Sequence, residues 1–187
     1  HFMLKEIHEQ PRAVKDTLNS VLKDGKFDLT DIGLAEEDIR RTSQIYIVAC
    51  GSAYHVGMVA QYVIEDLVKI PVRVELASEF RYRKPILDPN GLVIIISQSG
   101  ETADSLAALR ETKAQGIRTL GIVNVVGSSI AREADKVFYT LAGPEISVAT
   151  TKAYSTQLMA SYILAIQFAK VKNTITEEPV SYTHLRA

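Results

Sequence analysis

Residues 92–102, LVIIISQSGET, decide how this chain is read. The first five are apolar throughout, with no alternation, which marks a strand buried on both faces. The polar stretch at 97–102 opens a helical pattern that runs to Gln115 and is closed by Gly116. A buried strand passing through a tight turn into a helix is the repeating unit of an open α/β sheet.

The same grammar extends outward in both directions. Residues 45–49 (IYIVA) form a strand that ends at Cys50, Gly51 and Ser52, and 53–69 take helical spacing. A second strand covers 72–76, followed by a short polar-aromatic helix or loop over 77–83. Beyond the opening stretch come strands over 119–123 and 137–140, with a short helix over 128–134 between them. A loop over 141–149 leads into a long helix over 150–172. The expected fold is α/β: a three-layer αβα sandwich around a five-stranded parallel sheet, doubly wound in the flavodoxin manner. No internal repeat or low-complexity stretch competes with it.

Upstream, residues 1–9 and 11–23 read as two helical pieces. Pro11 would sit in the first turn of the second, where its missing N–H costs nothing, and Asp24-Gly25 would stop it. Residues 27–43 read as a polar linking segment with a short helix. The division expected is a helical lead-in over 1–44, a domain over 45–178 and a tail over 179–187. The end of that tail, SYTHLRA, continues no pattern and reads as non-native.

Length and composition fit one globular domain: 187 residues, 47% apolar and 23% charged. The net charge is −1 with both signs mixed along the chain, which argues against nucleic acid and anionic membrane as main partners. The most apolar run, 158–169, is broken by Ser161 and Gln167 and falls short of the ~18 residues a membrane span needs. With a single cysteine, Cys50, no intramolecular disulfide is possible, which fits a reducing compartment. No secretory pattern opens the sequence, so the expected location is the cytoplasm.

In an open parallel sheet, ligands bind beyond the carboxyl ends of the strands. Ser97, Ser99 and Thr102 place three hydroxyls there, with Gly100 to turn the backbone. A helix N-terminus adds unpaired N–H groups and a partial positive charge, so hydroxyls and N–H groups together can cradle a phosphate without a lysine. The plainer alternative is an N-cap, Ser99 or Thr102, with Glu101 favourable in the first helical turn. Three hydroxyls together after a buried strand favour the cradle. Ser52, in the turn at 50–53 after the strand at 45–49, could donate to the same ligand, although a plain strand-to-helix turn explains that segment at least as well.

Other readings are weaker. After Gly51 no glycine comes until Gly57, so the dinucleotide fingerprint G-x-G-x-x-G is missing, although Glu75 stands where a ribose-binding acid would lie. Walker A is missing too. Cys50 reads as a small buried thiol, and His55 as a surface residue early in a helix. His8 and His184 sit in ordinary polar contexts, and no metal-ligand spacing occurs. Lys152 and Glu145 could flank a site, though a solvated lysine and a loop carboxylate are the default. Tyr154, Leu158 and Tyr162 have the spacing of a packing stripe.

Residues 97–110 (SQSGETADSLAALR) resemble the phosphate loop of sugar-isomerase (SIS) domains. ASEFRYR at 77–83, the Cys50-Gly51-Ser52 turn and EISVATTKAYSTQ at 145–157 resemble in particular the glutamine–fructose-6-phosphate aminotransferases, and the likeness spans 2–178. That family makes glucosamine 6-phosphate from fructose 6-phosphate and glutamine, with a glutaminase domain followed by two SIS subdomains. The resemblance implies the first SIS subdomain of a longer enzyme, which binds fructose 6-phosphate or glucosamine 6-phosphate, needs no cofactor or metal, and pairs as a homodimer in the complete enzyme. Ser97, Gln98, Ser99 and Thr102 would hold the phosphate, with Ser52 and Ala53 lining the pocket. Val148 and Thr150 would meet the sugar by backbone or hydroxyl. The family often has serine where Ala53 stands, which leaves only the backbone N–H to donate there. The family's proton-moving glutamate, histidine and lysine belong to the second subdomain, so no catalytic residue is expected in this stretch. The alternative is a non-catalytic SIS module of a sugar-phosphate-sensing regulator, and 79–83 and 150–154 favour the enzyme.

Overall fold

The computed structural model describes residues 1–175. Residues 176–187, with His184 and the tail, lie outside the described part.

Helix α1 (Phe2–Asn19) runs unbroken through Pro11, so the two expected helical pieces are one. Proline lacks the N–H that would bond the carbonyl four residues back, that of Ile7. The Gln10 side chain supplies the missing donor, its Nε2 reaching the Ile7 oxygen at 3.2 Å. The helix also stops at Asn19, four residues before the expected end at Lys23. Asp24 and Gly25 instead turn a small hairpin of β1 (Leu22–Lys23) and β2 (Lys26–Phe27). Both turn residues have positive φ, 50° and 74°, the two-residue geometry whose twist matches antiparallel strands. A 3-10 turn (Thr30–Ile32) and helix α2 (Glu36–Arg41) follow. Leu29, Ile32, Leu34 and Ile39 are buried here, so apolar anchors tie this segment to the core.

The remaining strands are β3 (Ile45–Ala49), β4 (Val72–Leu76), β5 (Leu92–Ser97), β6 (Arg118–Val123) and β7 (Lys136–Tyr139). They alternate with helices α3 (Gly51–Val68), α4 (Ala77–Arg83), α5 (Ala103–Ala114) and α6 (Ser129–Glu133), and α7 (Lys152–Val171) follows. The five strands form one parallel sheet in the order β4-β3-β5-β6-β7. That is the flavodoxin-like order, and its switch point lies between β3 and β5.

Side chains alternate across a strand, so the apolar runs feed two cores. Ile45, Ile47, Ala49, Leu92, Ile94 and Ile96 pack with residues of α3 and α7. Tyr46, Val48, Val93 and Ile95 pack with residues of α4, α5 and α6. Gly57 lets α3 lie close to the sheet, because a Cβ there would come within 2.9 Å of Ile47 Cγ2 and Val74 Cγ1. Helix α1 packs on α7, on the outer side of the first core.

Candidate functional site

Ala49 of β3 pairs with Ile96 of β5, so the chain leaves both strands side by side at the switch point. The turn at 50–53 and the loop at 97–102 therefore emerge next to each other.

The loop at 97–102 is built from its own polar atoms. Ser97 is only 4% exposed, and its Oγ accepts the Gly100 N–H at 3.1 Å. Ser97 Oγ and Thr102 Oγ1 share a hydrogen bond of 3.0 Å. Ser99 Oγ accepts the Glu101 N–H at 3.2 Å. Gly100 has φ 66°, and a Cβ on it would lie 2.0 Å from Ser128 Oγ, so both conformation and space demand glycine. Backbone bonds fasten the loop to its neighbours: Asn124 N–H to Gln98 O at 3.1 Å and Ile130 N–H to Gly100 O at 3.0 Å.

Thr102 occupies the N-cap position of α5, yet its hydroxyl makes no capping bond and turns to Ser97 instead. Glu101 lies outside the first turn of α5. Its carboxylate accepts the Ser129 N–H at 2.7 Å at the start of α6. That backbone bond, with a further one from the Ser129 side chain, holds the Glu101 carboxyl below its ordinary range. The plain capping role weighed against a phosphate cradle is thus not what these hydroxyls perform.

A cavity of about 240 Å³ opens at the switch point. Cys50, Gly51, Ser52 and Ala53 wall it from β3, and Ile96, Ser97, Gln98, Ser99 and Thr102 from β5. Thr150 and Gln157 complete it from the α7 side. Seven of the eight residues singled out from the sequence thus border one cavity. Val148 does not; its side chain is fully exposed. Among the described residues, no lysine, arginine, histidine or carboxylate belongs to the lining. An anion here would meet hydroxyls and the first N–H groups of α5, which have no intrahelical partner.

The loop at 145–151, which carries Val148 and Thr150, is held differently. Its own Glu145 accepts the Thr151 N–H at 2.5 Å and the Thr150 hydroxyl at 3.3 Å. From outside, Glu6 of α1 accepts the Ile146 N–H at 2.7 Å and the Ser147 N–H at 3.3 Å. Glu6 is 3% exposed, and the Ile146 bond first, then those from Ser147, keep its carboxyl below the usual 4.5. Next along, Lys152 is 4% exposed and paired with Glu9 of α1 at 2.7 Å. The solvated lysine expected at 152 is therefore a buried partner of α1, because that helix covers the start of α7.

Cys50 is half-buried, and the contact recorded for its Sγ is Ser105 Oγ at 4.0 Å. His55 is exposed and meets Tyr54 edge-on. Glu75 is bonded to Arg83. Among the described residues no group of histidines, cysteines or carboxylates could hold a metal ion, and no helix is long and apolar enough to cross a membrane.

Gln157 and Glu6 were missed from the sequence. Gln157 carries a signal: with Ala153, Ala160 and Leu164 it stands at helical spacing on a buried stripe, where a polar residue is out of place. Glu6 has no comparable local signal, since its partners lie 140 residues away.

The model of the SIS domain matches residues 38–167. Glutamine–fructose-6-phosphate aminotransferases of Clostridium tetani and Clostridium acetobutylicum are 59% and 58% identical over 95% and 96% of the chain. The chain spans only 29% and 30% of their length. Among solved structures, the C-terminal domain of the glucosamine-fructose-6-phosphate aminotransferase from Francisella tularensis superposes with a TM-score of 0.93 at 46% identity, covering 100% of this chain and 52% of that one.

Proposed function

The chain belongs to the SIS domain family, and from that premise we propose that it is the part of a glutamine–fructose-6-phosphate aminotransferase that binds fructose 6-phosphate for conversion to glucosamine 6-phosphate. The observation that carries this reading is the cavity at the switch point, walled by Ser52, Ser97, Ser99 and Thr102 with no fixed cation. A phosphate monoester carries about −1.5 to −2 charges at neutral pH and offers only acceptors. Hydroxyls and helix N–H groups complement it. Ala53 contributes through its backbone, Gln98 from the phosphate loop and Thr150 from the sugar side. Val148 would have to reach the sugar through its main chain, since its side chain points to solvent.

The cavity binds and orients. Isomerisation moves a proton between neighbouring carbons and needs a placed acid and base. Apart from the Cys50 thiol, no titratable side chain among the described residues lines the cavity, so those groups reach the sugar from outside these walls. A cytoplasmic setting and a homodimer formed through the isomerase region complete the proposal. The names of the related enzymes support the aminotransferase, and no observation favours the sugar-sensing regulator.

Titration calorimetry with fructose 6-phosphate and with unphosphorylated fructose tests the reading. Hydrogen bonds to a charged group contribute roughly 1.5–3 kcal/mol each. Ser99→Ala and Thr102→Ala are each expected to weaken phosphate-sugar binding by about one to two powers of ten, since about 1.4 kcal/mol is tenfold. Equal binding of the two sugars, or parent-like binding by both variants, would refute it.

A further inference from the structure

We infer that Gln157 reads the hydroxyl groups of the sugar, and so sets which phosphorylated compounds the cavity accepts. The inference rests on the phosphate reading above and adds a second, separate recognition element to it.

The observation is a buried amide with nothing to bond. Gln157 is 3% exposed on the inner face of α7. The other buried polar residues of that helix are all satisfied. Lys152 is paired with Glu9. Thr156 Oγ1 donates to the Ala153 carbonyl at 3.0 Å, and Ser161 Oγ to the carbonyl of Gln157 itself at 2.9 Å. The Gln157 amide head has no such bond among the described residues. It is not sealed off either, because the fully enclosed side-chain atom without a partner among them is Ser128 Oγ. The open space beside Gln157 is the cavity that it lines with Ser97, Ser99 and Thr102.

Buried polar groups without partners are costly, and native proteins keep few of them. An amide both donates and accepts. A phosphate can only accept, and would leave the amide oxygen idle. A sugar hydroxyl donates and accepts, and satisfies both ends. The 97–102 loop already supplies the phosphate with donors from the β5 side. Gln157 enters from α7, on the side that also brings Thr150. The two elements therefore divide the ligand, the loop taking the charge and Gln157 the hydroxyls.

The test is calorimetry on the full chain, with fructose 6-phosphate and with hexyl phosphate, a monoester of like charge that lacks hydroxyls. The variants are Gln157→Leu and the straight-chain Gln157→Met, each checked by thermal unfolding without ligand, and the better-folded of the two carries the measurement. The parent is expected to prefer fructose 6-phosphate. The variant should lose about five- to tenfold for that sugar, the loss of one neutral hydrogen bond, and nothing for hexyl phosphate. Parent-like binding of fructose 6-phosphate by the variant overturns the inference, and so does an equal loss for both ligands. Failure of the phosphate reading looks different: a parent that binds hexyl phosphate no better than hexanol. That result would remove both.

Discussion

The loops at 97–102 and 145–151 border the same cavity but owe their shapes to different parts of the chain. In the first, Ser97 bonds Gly100 and Thr102, Ser99 bonds Glu101, and the adjoining β6–α6 segment fastens the loop. In the second, the main-chain N–H groups of Ile146 and Ser147 point to a carboxylate on α1. One wall of the site is thus prepared locally, before any ligand arrives. The other is braced within itself by Glu145 and, at Ile146 and Ser147, by α1 docked on α7. Preorganised donors bind an anion without first being ordered, whereas a conditional wall can be loosened without touching the first.

The largest expected effect attacks the local wall. Gly100→Ala forces a side chain into a left-handed conformation and onto Ser128, and the backbone strain alone costs roughly 1–3 kcal/mol. Urea unfolding should show the loss, and Ser128→Gly should recover only the steric share of it. An unchanged midpoint would mean that the loop is not rigidly built. Next comes Ser97→Ala. It leaves the Gly100 N–H and the Thr102 hydroxyl without their buried partner, at about 1–3 kcal/mol. Binding of hexyl phosphate should fall with it.

Smaller effects are expected from the other wall. Glu6→Ala removes the acceptor of two loop N–H groups. Fructose 6-phosphate should bind severalfold more weakly, hexyl phosphate as before, and a broad-specificity protease should cut faster within 145–151. If both ligands weaken equally, the two walls are not independent. The smallest effect is that of pH. Because bonding lowers the folded-state pKa of Glu6 from 4.5, its contribution is whole above that value and is lost as pH falls through the lower folded one. Acidification below pH 4.5 should raise cleavage of the 145–151 loop in the parent, and that part of the rise should be missing in Glu6→Ala.

The contrast also explains what could be read from the sequence. The strand at 45–49 matches the structure to the residue, because burial on both faces leaves an uninterrupted apolar run with sharp ends. The hydroxyl pattern of the 97–102 loop was legible because the partners of Ser97, Ser99 and Thr102 lie within the loop itself. The continuity of α1 through Pro11 was not legible, since it depends on the Gln10 amide taking over one bond, a choice of rotamer and not of pattern. The Asp24-Gly25 turn was misread because a helix stop and a hairpin use the same residues, and only the flanking strands tell them apart. The support of the 145–151 loop was invisible, as no local rule links Glu6 to Ile146.

The pairing of α1 with the start of α7 has a consequence for synthesis. Glu6 leaves the ribosome 140 residues before Ile146. At roughly 5–20 residues per second, α1 waits on the order of ten seconds for its partner. During that interval Ala13, which α1 buries in the finished fold, has no surface of α7 to meet, and the Glu6 carboxylate stays hydrated. The strands β3 to β7 can assemble meanwhile, each beside a strand already made. The last wall of the cavity is closed by a helix made before all five strands of the sheet, so a nascent domain can own its phosphate cradle before it owns a complete site.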